Sequence, residues 1–172
     1  MEIEELLKKA KKGDDGAFYE LMQMHKVQLL KIALSYLRNE EEALEALQEV
    51  TFRAYQSIKK VKQPEYFSTW LIRIMLNYCH DQHKKKKKVT YTNLDENISE
   101  IVDYSNGLVI EEALQKIDSD CREVIVLKYY HDLRIKDIAE ILEKPESTIK
   151  TWLYKGLGAL RQQLDERSEL NA

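Results

Sequence analysis

The sequence predicts an all-α protein of two small helical domains, an N-terminal helical bundle and a C-terminal helix-turn-helix, joined by a flexible linker. Three observations carry this. Apolar residues recur at i, i+3 and i+4 along almost the whole chain, the spacing of a helix face. Only five Gly and two Pro occur in 172 residues, and alternating β-branched runs are almost absent. The periodicity fails over one stretch, Val89 to Gly107, where Thr, Asn, Asp and Ser recur. The predicted domains are therefore 1–88 and 108–172, with 89–107 as linker.

In the first domain Ile3, Leu6, Leu7 and Ala10 line a short opening helix. Gly13-Asp14-Asp15-Gly16 interrupts it, and Asp15 is placed to cap the next. Phe18, Leu21, Met22, His25, Leu29, Ile32, Ala33 and Tyr36 mark a long second helix. Asn39 and Glu42 form an N-cap pair for a third, with Ala43, Leu47, Val50, Thr51, Ala54 and Ile58 inward. Lys59 to Pro64 breaks the period and reads as a loop. A fourth helix, Phe67 to Lys88, buries Phe67, Trp70, Leu71, Ile74, Met75 and Tyr78 and closes a bundle. The linker carries apolar anchors at Leu94, Ile98, Ile101 and Val102.

Helical spacing resumes at Ile110, Ala113, Leu114 and Ile117. Asp118-Ser119 ends that helix and caps one carrying Val124, Ile125, Leu127 and Tyr129. A short helix with Ile135, Ile138, Ala139 and Leu142 follows. Glu143-Lys144-Pro145-Glu146 then turns the chain into a last helix that faces Ile149, Leu153, Gly156, Leu160 and Leu164 inward.

Charge and residue content exclude several functions. The formal net charge of −3 rules out a uniformly basic DNA-coating protein, so nucleic-acid binding needs segregated charge. Segregation is present: Glu40, Glu41, Glu42, Glu45 and Glu49 cluster early, and Lys84 to Lys88 are consecutive. Cys79 and Cys121 form no framework, the N-terminus has no basic-then-apolar leader, and no apolar run approaches ~20 residues, so a reduced, cytoplasmic protein is expected. Cys79 and His83 stand at i, i+4 beside His80, with His25 and His131 elsewhere, which does not close a zinc site. Nor is there a Walker loop, a glycine-rich dinucleotide turn or a nucleophile–base pattern. No catalytic residue, metal, cofactor or small-molecule substrate is expected.

Two segments have the chemistry of DNA contact. In the second domain Ala139 is the small residue at a helix crossing, Lys144-Pro145 lies in the turn, and Ser147 is placed to cap a recognition helix. Thr148, Lys150, Thr151, Tyr154 and Lys155 project from its first half, offering hydroxyls, a phenol and ammonium groups to phosphates and base edges. In the first domain, Lys59, Lys60 and Lys62 precede a helix mixing aromatics with Arg73 and Asn77, and the lysine run follows. Aromatics beside such a groove can stack on bases drawn from a melted strand. For Phe67, Trp70 and Tyr78 individually the core is the expected role, whereas Arg73, Asn77 and the lysine run read as DNA contacts once the second domain is considered. The glutamate face of the third helix suits a protein partner or water rather than DNA.

Tyr36-Leu37-Arg38-Asn39 through Gln48-Glu49-Val50, Ser68-Thr69-Trp70-Leu71 to Asn77, Cys121-Arg122-Glu123-Val124, Ile138 to Leu142, and Pro145 to Lys150 occur in an order that resembles the extracytoplasmic-function class of bacterial RNA polymerase sigma factors. The resemblance implies a promoter-specificity subunit, not an enzyme. Its implied partners are core RNA polymerase, through the β′ coiled coil and β flap, promoter DNA, and an anti-sigma factor, often membrane-anchored, that can hold the chain at the inner face of the membrane. Carried over by position, Glu45, Gln48 and Glu49 would dock on the β′ coiled coil. Lys62, Trp70, Arg73, Asn77 and Lys84 would recognise and help melt the −10 element. Arg122, Ser147, Thr148, Lys150, Thr151, Tyr154 and Lys155 would bind the −35 element as duplex. Thr51 stands where that family more often has Phe, with Phe52 one place later, and Glu143 and Ser147 where glycine is frequent. The residues alone also accommodate a helix-turn-helix regulator acting without polymerase, or a helical adaptor with no DNA function.

Overall fold

The computed structural model describes residues 2–90 and 107–171. The linker anchors expected at Leu94, Ile98, Ile101 and Val102 lie outside the described residues. The chain divides into two compact units, Met1–Asp95 and Glu96–Ala172, and among the described residues there is no strand. No described helix is long and apolar enough to cross a membrane.

Unit 1 contains α1 (Glu2–Lys11), α2 (Asp15–Leu37), α3 (Glu40–Ser57) and α4 (Phe67–Thr90). Helix α2 is the central element, packing against the other three. Leu7, Leu21, Leu29, Ile32, Phe67, Leu71 and Met75 are fully buried. Burial of such a side chain contributes about 1.5–3 kcal/mol each. The cap of α2 is Asp14 and not Asp15: its Oδ1 accepts from the Ala17 N–H at 3.0 Å. Gly13, at φ +97°, turns the chain early enough for Asp14 to take the extended cap conformation. Asp15 is already helical and accepts from the Tyr55 hydroxyl at 2.9 Å. At α3, Asn39 caps as expected by accepting from the Glu42 N–H at 2.9 Å. The Glu42 carboxylate reaches across to Lys86 of α4 at 2.6 Å.

The expected loop between α3 and α4 is two single 3-10 turns, Ile58–Lys60 and Pro64–Tyr66. Val61 is buried between them, and the Lys11 amine donates to its carbonyl. Pro64 pre-sets the backbone that opens the second turn. Thus Lys62 sits on a pinned connection. Helix α4 then runs through all five lysines to Thr90, two residues past the expected end, with the cations where the helix dipole favours them.

Unit 2 contains α5 (Gly107–Gln115), α6 (Ser119–Ile125), α7 (Ile135–Leu142) and α8 (Glu146–Leu170). Asp118 caps α6 by accepting from the Asp120 N–H at 3.3 Å. Helix α6 continues into a π turn, Val126–Tyr130, closed by His131 N–H to the Val126 carbonyl at 3.1 Å. The extra residue in that turn keeps Leu127 buried but swings Tyr129, expected inward, out to 60% exposure. Helix α8 crosses α6 at Gly156, where an added Cβ would lie 2.7 Å from Ile125 Cδ1 and 3.0 Å from Cys121 Cβ. Glycine is required there by contact.

Helix α7 ends at Glu143, which adopts the left-handed conformation, φ 54°. An L side chain is strained there, and glycine is the residue that such helix ends favour. Glu143→Gly is therefore expected to stabilise unit 2 by roughly 1 kcal/mol, read as a higher thermal midpoint. An unchanged or lower midpoint would show that the side chain of Glu143 compensates for its backbone.

Candidate nucleic-acid interface

Helix α4 brings four of the expected −10 residues onto one face. Successive residues turn by about 100°, so Trp70, Arg73, Asn77 and Lys84 fall within an arc of about 60°. Lys88 of the lysine run shares that arc, and Asp81, which sequence reasoning did not single out, borders it. Trp70 is half-buried and tilted against Phe67, ring centroids 5.8 Å apart. Its partial burial accords with a place at the edge of the core. Arg73 is half-buried, whereas Asn77, Asp81, Lys84 and Lys88 are exposed. Lys86 points the other way, to Glu42, and is withdrawn from this face. Lys62 is exposed on the connection preceding α4.

Behind the face, His80 packs edge-on to Tyr36, centroids 5.8 Å apart. Burial pushes the His83 imidazole below its usual range, against the opposing pull of its hydrogen bond to the Tyr36 backbone. The folded value being depressed, the neutral ring's contribution is complete above the unfolded value of about 6.5. It is lost as pH falls through that value towards the folded one. Unit 1 is expected to lose denaturant resistance between pH 7 and 5 less steeply in His83→Gln than in the parent chain. Parallel slopes would remove His83 as a contributor.

Helix α8 presents the second set. Its N-cap is Pro145, without a side-chain cap, so Ser147 does not cap: it is the second helical residue. The Pro145 carbonyl instead accepts from the Thr148 and Ile149 N–H groups at 3.0 and 3.2 Å. Ser147, Lys150, Thr151, Tyr154 and Lys155 are all exposed, and Thr148 is half-buried. The Thr151 hydroxyl donates to the Ser147 carbonyl at 2.9 Å, which turns its lone pairs outward. Lys155 approaches Asp118 at 3.9 Å, a long pair between exposed side chains. Arg122 is half-buried on α6, which packs on α8. Ala139 is buried on α7, which packs on α8.

The third surface is the outer ridge of α3. Glu45 and Gln48 are exposed there. Glu49 is half-buried and bonded to Arg53 at 2.8 Å; that guanidinium lies 5.4 Å from the Tyr78 ring centroid. Burial, followed by the charges of Glu45 and Glu49, pushes the Tyr78 hydroxyl up. Thr51, expected inward, is half-buried and spends its hydroxyl on the Leu47 carbonyl at 2.7 Å. Phe52 points outward, 57% exposed. A groove of about 610 Å³ opens between α2 and α3, lined in part by Tyr19, Met22, Gln48, Thr51, Phe52 and Tyr55. Sequence periodicity did not reveal it, because Phe52 and Tyr55 fall on the outer face of α3, where aromatics are not needed for folding.

Cys79 is fully buried, and burial pushes its thiol up to about 12. It stays protonated at physiological pH. Among the described residues no three His, Cys, Asp or Glu side chains are placed to hold a metal ion.

Comparison with known proteins places both units. The description "Sigma-70 region 2" matches residues 21–89 and "Sigma-70, region 4" matches residues 107–160. The chain is 33% identical to the ECF RNA polymerase sigma factor SigW of Bacillus subtilis, covering 95% of this chain and 97% of that protein. It is 31% identical to the RNA polymerase sigma factor SigV of the same organism, covering 81% and 86%. In fold it is similar to CnrH, solved in complex with the cytosolic domain of CnrY, with a TM-score of 0.73 at 22% identity over 96% of this chain and 99% of that one. It is also similar to RpoE of Bartonella quintana, solved with the anti-sigma factor NepR, with a TM-score of 0.69 at 19% identity over 85% and 97%. With both regions matched in order and SigW similar from end to end, the chain belongs to the ECF sigma factors of RNA polymerase.

Proposed function

We propose that this sigma factor directs core RNA polymerase to its promoters through three separate surfaces. The α8 stripe from Ser147 to Lys155, with Arg122, reads the −35 element as duplex. The α4 face of Trp70, Arg73, Asn77 and Lys84, with Lys62 on its pinned connection, takes the −10 element. The observation that carries this reading is the alignment of the α4 residues in a single arc over a buried aromatic base. Cations alone supply affinity without sequence choice, whereas an aromatic edge and an amide among them can engage an unstacked base. Residues 1–88 and 108–172 act as the two DNA-binding domains. The chain positions the polymerase, and the chemistry of RNA synthesis belongs to the polymerase.

Core polymerase docks on the outer ridge of α3. Glu45 and Gln48 supply the polar contacts, and exposed Phe52 at the groove supplies an apolar anchor of the kind that dominates interface energetics. Glu49 is bonded within α3 to Arg53, whose guanidinium lies 5.4 Å from the ring centroid of Tyr78 on α4. Phe52→Ala with Gln48→Ala is expected to weaken binding to core polymerase at least tenfold, and Glu49→Ala much less. Equal losses from both variants would move the contact to the Glu49 side of α3. An anti-sigma factor, membrane-anchored on the cytoplasmic side, is the proposed inhibitory partner.

The deciding experiment is transcription from a genomic fragment library by core polymerase with and without the protein. New start sites sharing two upstream motifs establish the role. No added initiation by folded protein overturns it and favours an operator-binding regulator.

A further inference from the structure

Helix α8 carries two glycines two residues apart, and packing accounts for one of them. Gly156 is buried against Ile125 and Cys121. Gly158 is exposed, and an added Cβ there would meet nothing within 4 Å. Glycine is the poorest helix former after proline, so an exposed glycine in a helix interior weakens the element without any return from packing. Its conformation is helical, so no turn requires it either.

The position of Gly158 supplies a reason. At about 100° per residue it falls in line with Ser147 and Thr151, about one turn beyond the end of the stripe proposed above to face the −35 duplex. Its four neighbours on the helix surface are Tyr154 and Lys155 one turn before and Arg161 and Gln162 one turn after. All four are exposed. Two cations, a phenol and a carboxamide thus ring a bare patch of backbone. Lys155 is engaged with Asp118 only at 3.9 Å, and Gln162 with Glu166 at 3.4 Å, so each can be redirected.

We infer that Gly158 is a phosphate seat: the notch lets one DNA backbone phosphate come closer to α8 than any side chain at this position would allow, within reach of Lys155, Arg161, Tyr154 and Gln162. The seat fixes how far α8 enters the groove and so positions Lys150 and Thr151 on the base edges. It rests on the reading of α8 as the −35 contact.

The test uses holoenzyme, assembled from core polymerase and the full chain, and a labelled duplex selected by that holoenzyme from a random-sequence pool. Binding is measured across a salt series for the parent, Gly158→Ala and Lys150→Ala. Gly158→Ala is expected to raise the thermal midpoint of the free chain, yet lower duplex affinity roughly tenfold. The slope of log affinity against log salt should fall by about 0.9, the loss of one phosphate contact. If Lys150→Ala weakens binding while Gly158→Ala stays within about twofold of the parent, the seat is overturned and the α8 reading stands. A weaker Gly158→Ala complex with an unchanged salt slope also overturns it, since the loss is then not a phosphate contact. If neither variant weakens binding, the α8 reading fails and takes the seat with it.

Discussion

Lys150→Glu combined with Lys155→Glu is expected to lower promoter-directed initiation at least 100-fold while leaving the fold and core-polymerase binding intact. Both side chains are exposed on α8, so their replacement removes no packing. A charge-assisted hydrogen bond to phosphate or base contributes about 1.5–3 kcal/mol. Two of them correspond to roughly 3–6 kcal/mol, or about two to four decades in affinity. The glutamates add repulsion from the phosphates they would face. Initiation should be measured on a duplex promoter and on a template whose −10 region is already unpaired. If α8 reads the −35 element, the loss appears on both wherever that element is present and disappears when it is scrambled. Undiminished initiation on the intact promoter would show that α8 is not the reader.

What made these surfaces readable in the sequence was periodicity. Trp70, Arg73, Asn77 and Lys84 are separated by three, four and seven residues, so a helix alone aligns them. The same argument placed Leu21, Leu29, Ile32, Ile138, Ile149 and Leu153 in the cores, and all six are buried. Features decided by a single residue of register were not readable. Asp14 and Asp15 are chemically identical caps, and only the φ of Gly13 chooses between them. The π turn at Val126–Tyr130 carries no distinct composition, so Tyr129 reads as inward until that turn is seen. Ser147 reads as a cap because its hydroxyl suits the role, but α8 starts two residues sooner, with Pro145 at the cap. The groove beside Thr51 depends on a gap between two helices, and a gap has no residue of its own in the sequence. Periodicity faces Gly156 inward, and the close approach of α6 there shows why the residue is glycine.

Phe67→Ala is expected to destabilise unit 1 by about 3–5 kcal/mol, the range for deleting a fully buried phenyl ring. The consequence extends to function because of where the ring sits. Phe67 is the first residue of α4, edge-on to His25 at 5.2 Å and beneath Trp70 at 5.8 Å. His25 is itself fixed by donating to the Leu21 carbonyl at 2.8 Å, and the Thr69 hydroxyl ties the turn to the Tyr66 carbonyl at 3.0 Å. Phe67 therefore anchors the start of α4 in the core, and Trp70 and Arg73 depend on it through the stability of the fold. Trp70→Ala removes a half-buried ring from the DNA face itself and should cost less stability. The two variants separate by temperature. Phe67→Ala should initiate nearly normally in the cold, where the fold persists, and fail near its lowered midpoint. Trp70→Ala should remain defective in promoter opening at every temperature where the parent is active. Rescue of Trp70→Ala by cooling would make Trp70 a core residue only and move −10 recognition to Arg73, Asn77 and the connection at Lys62.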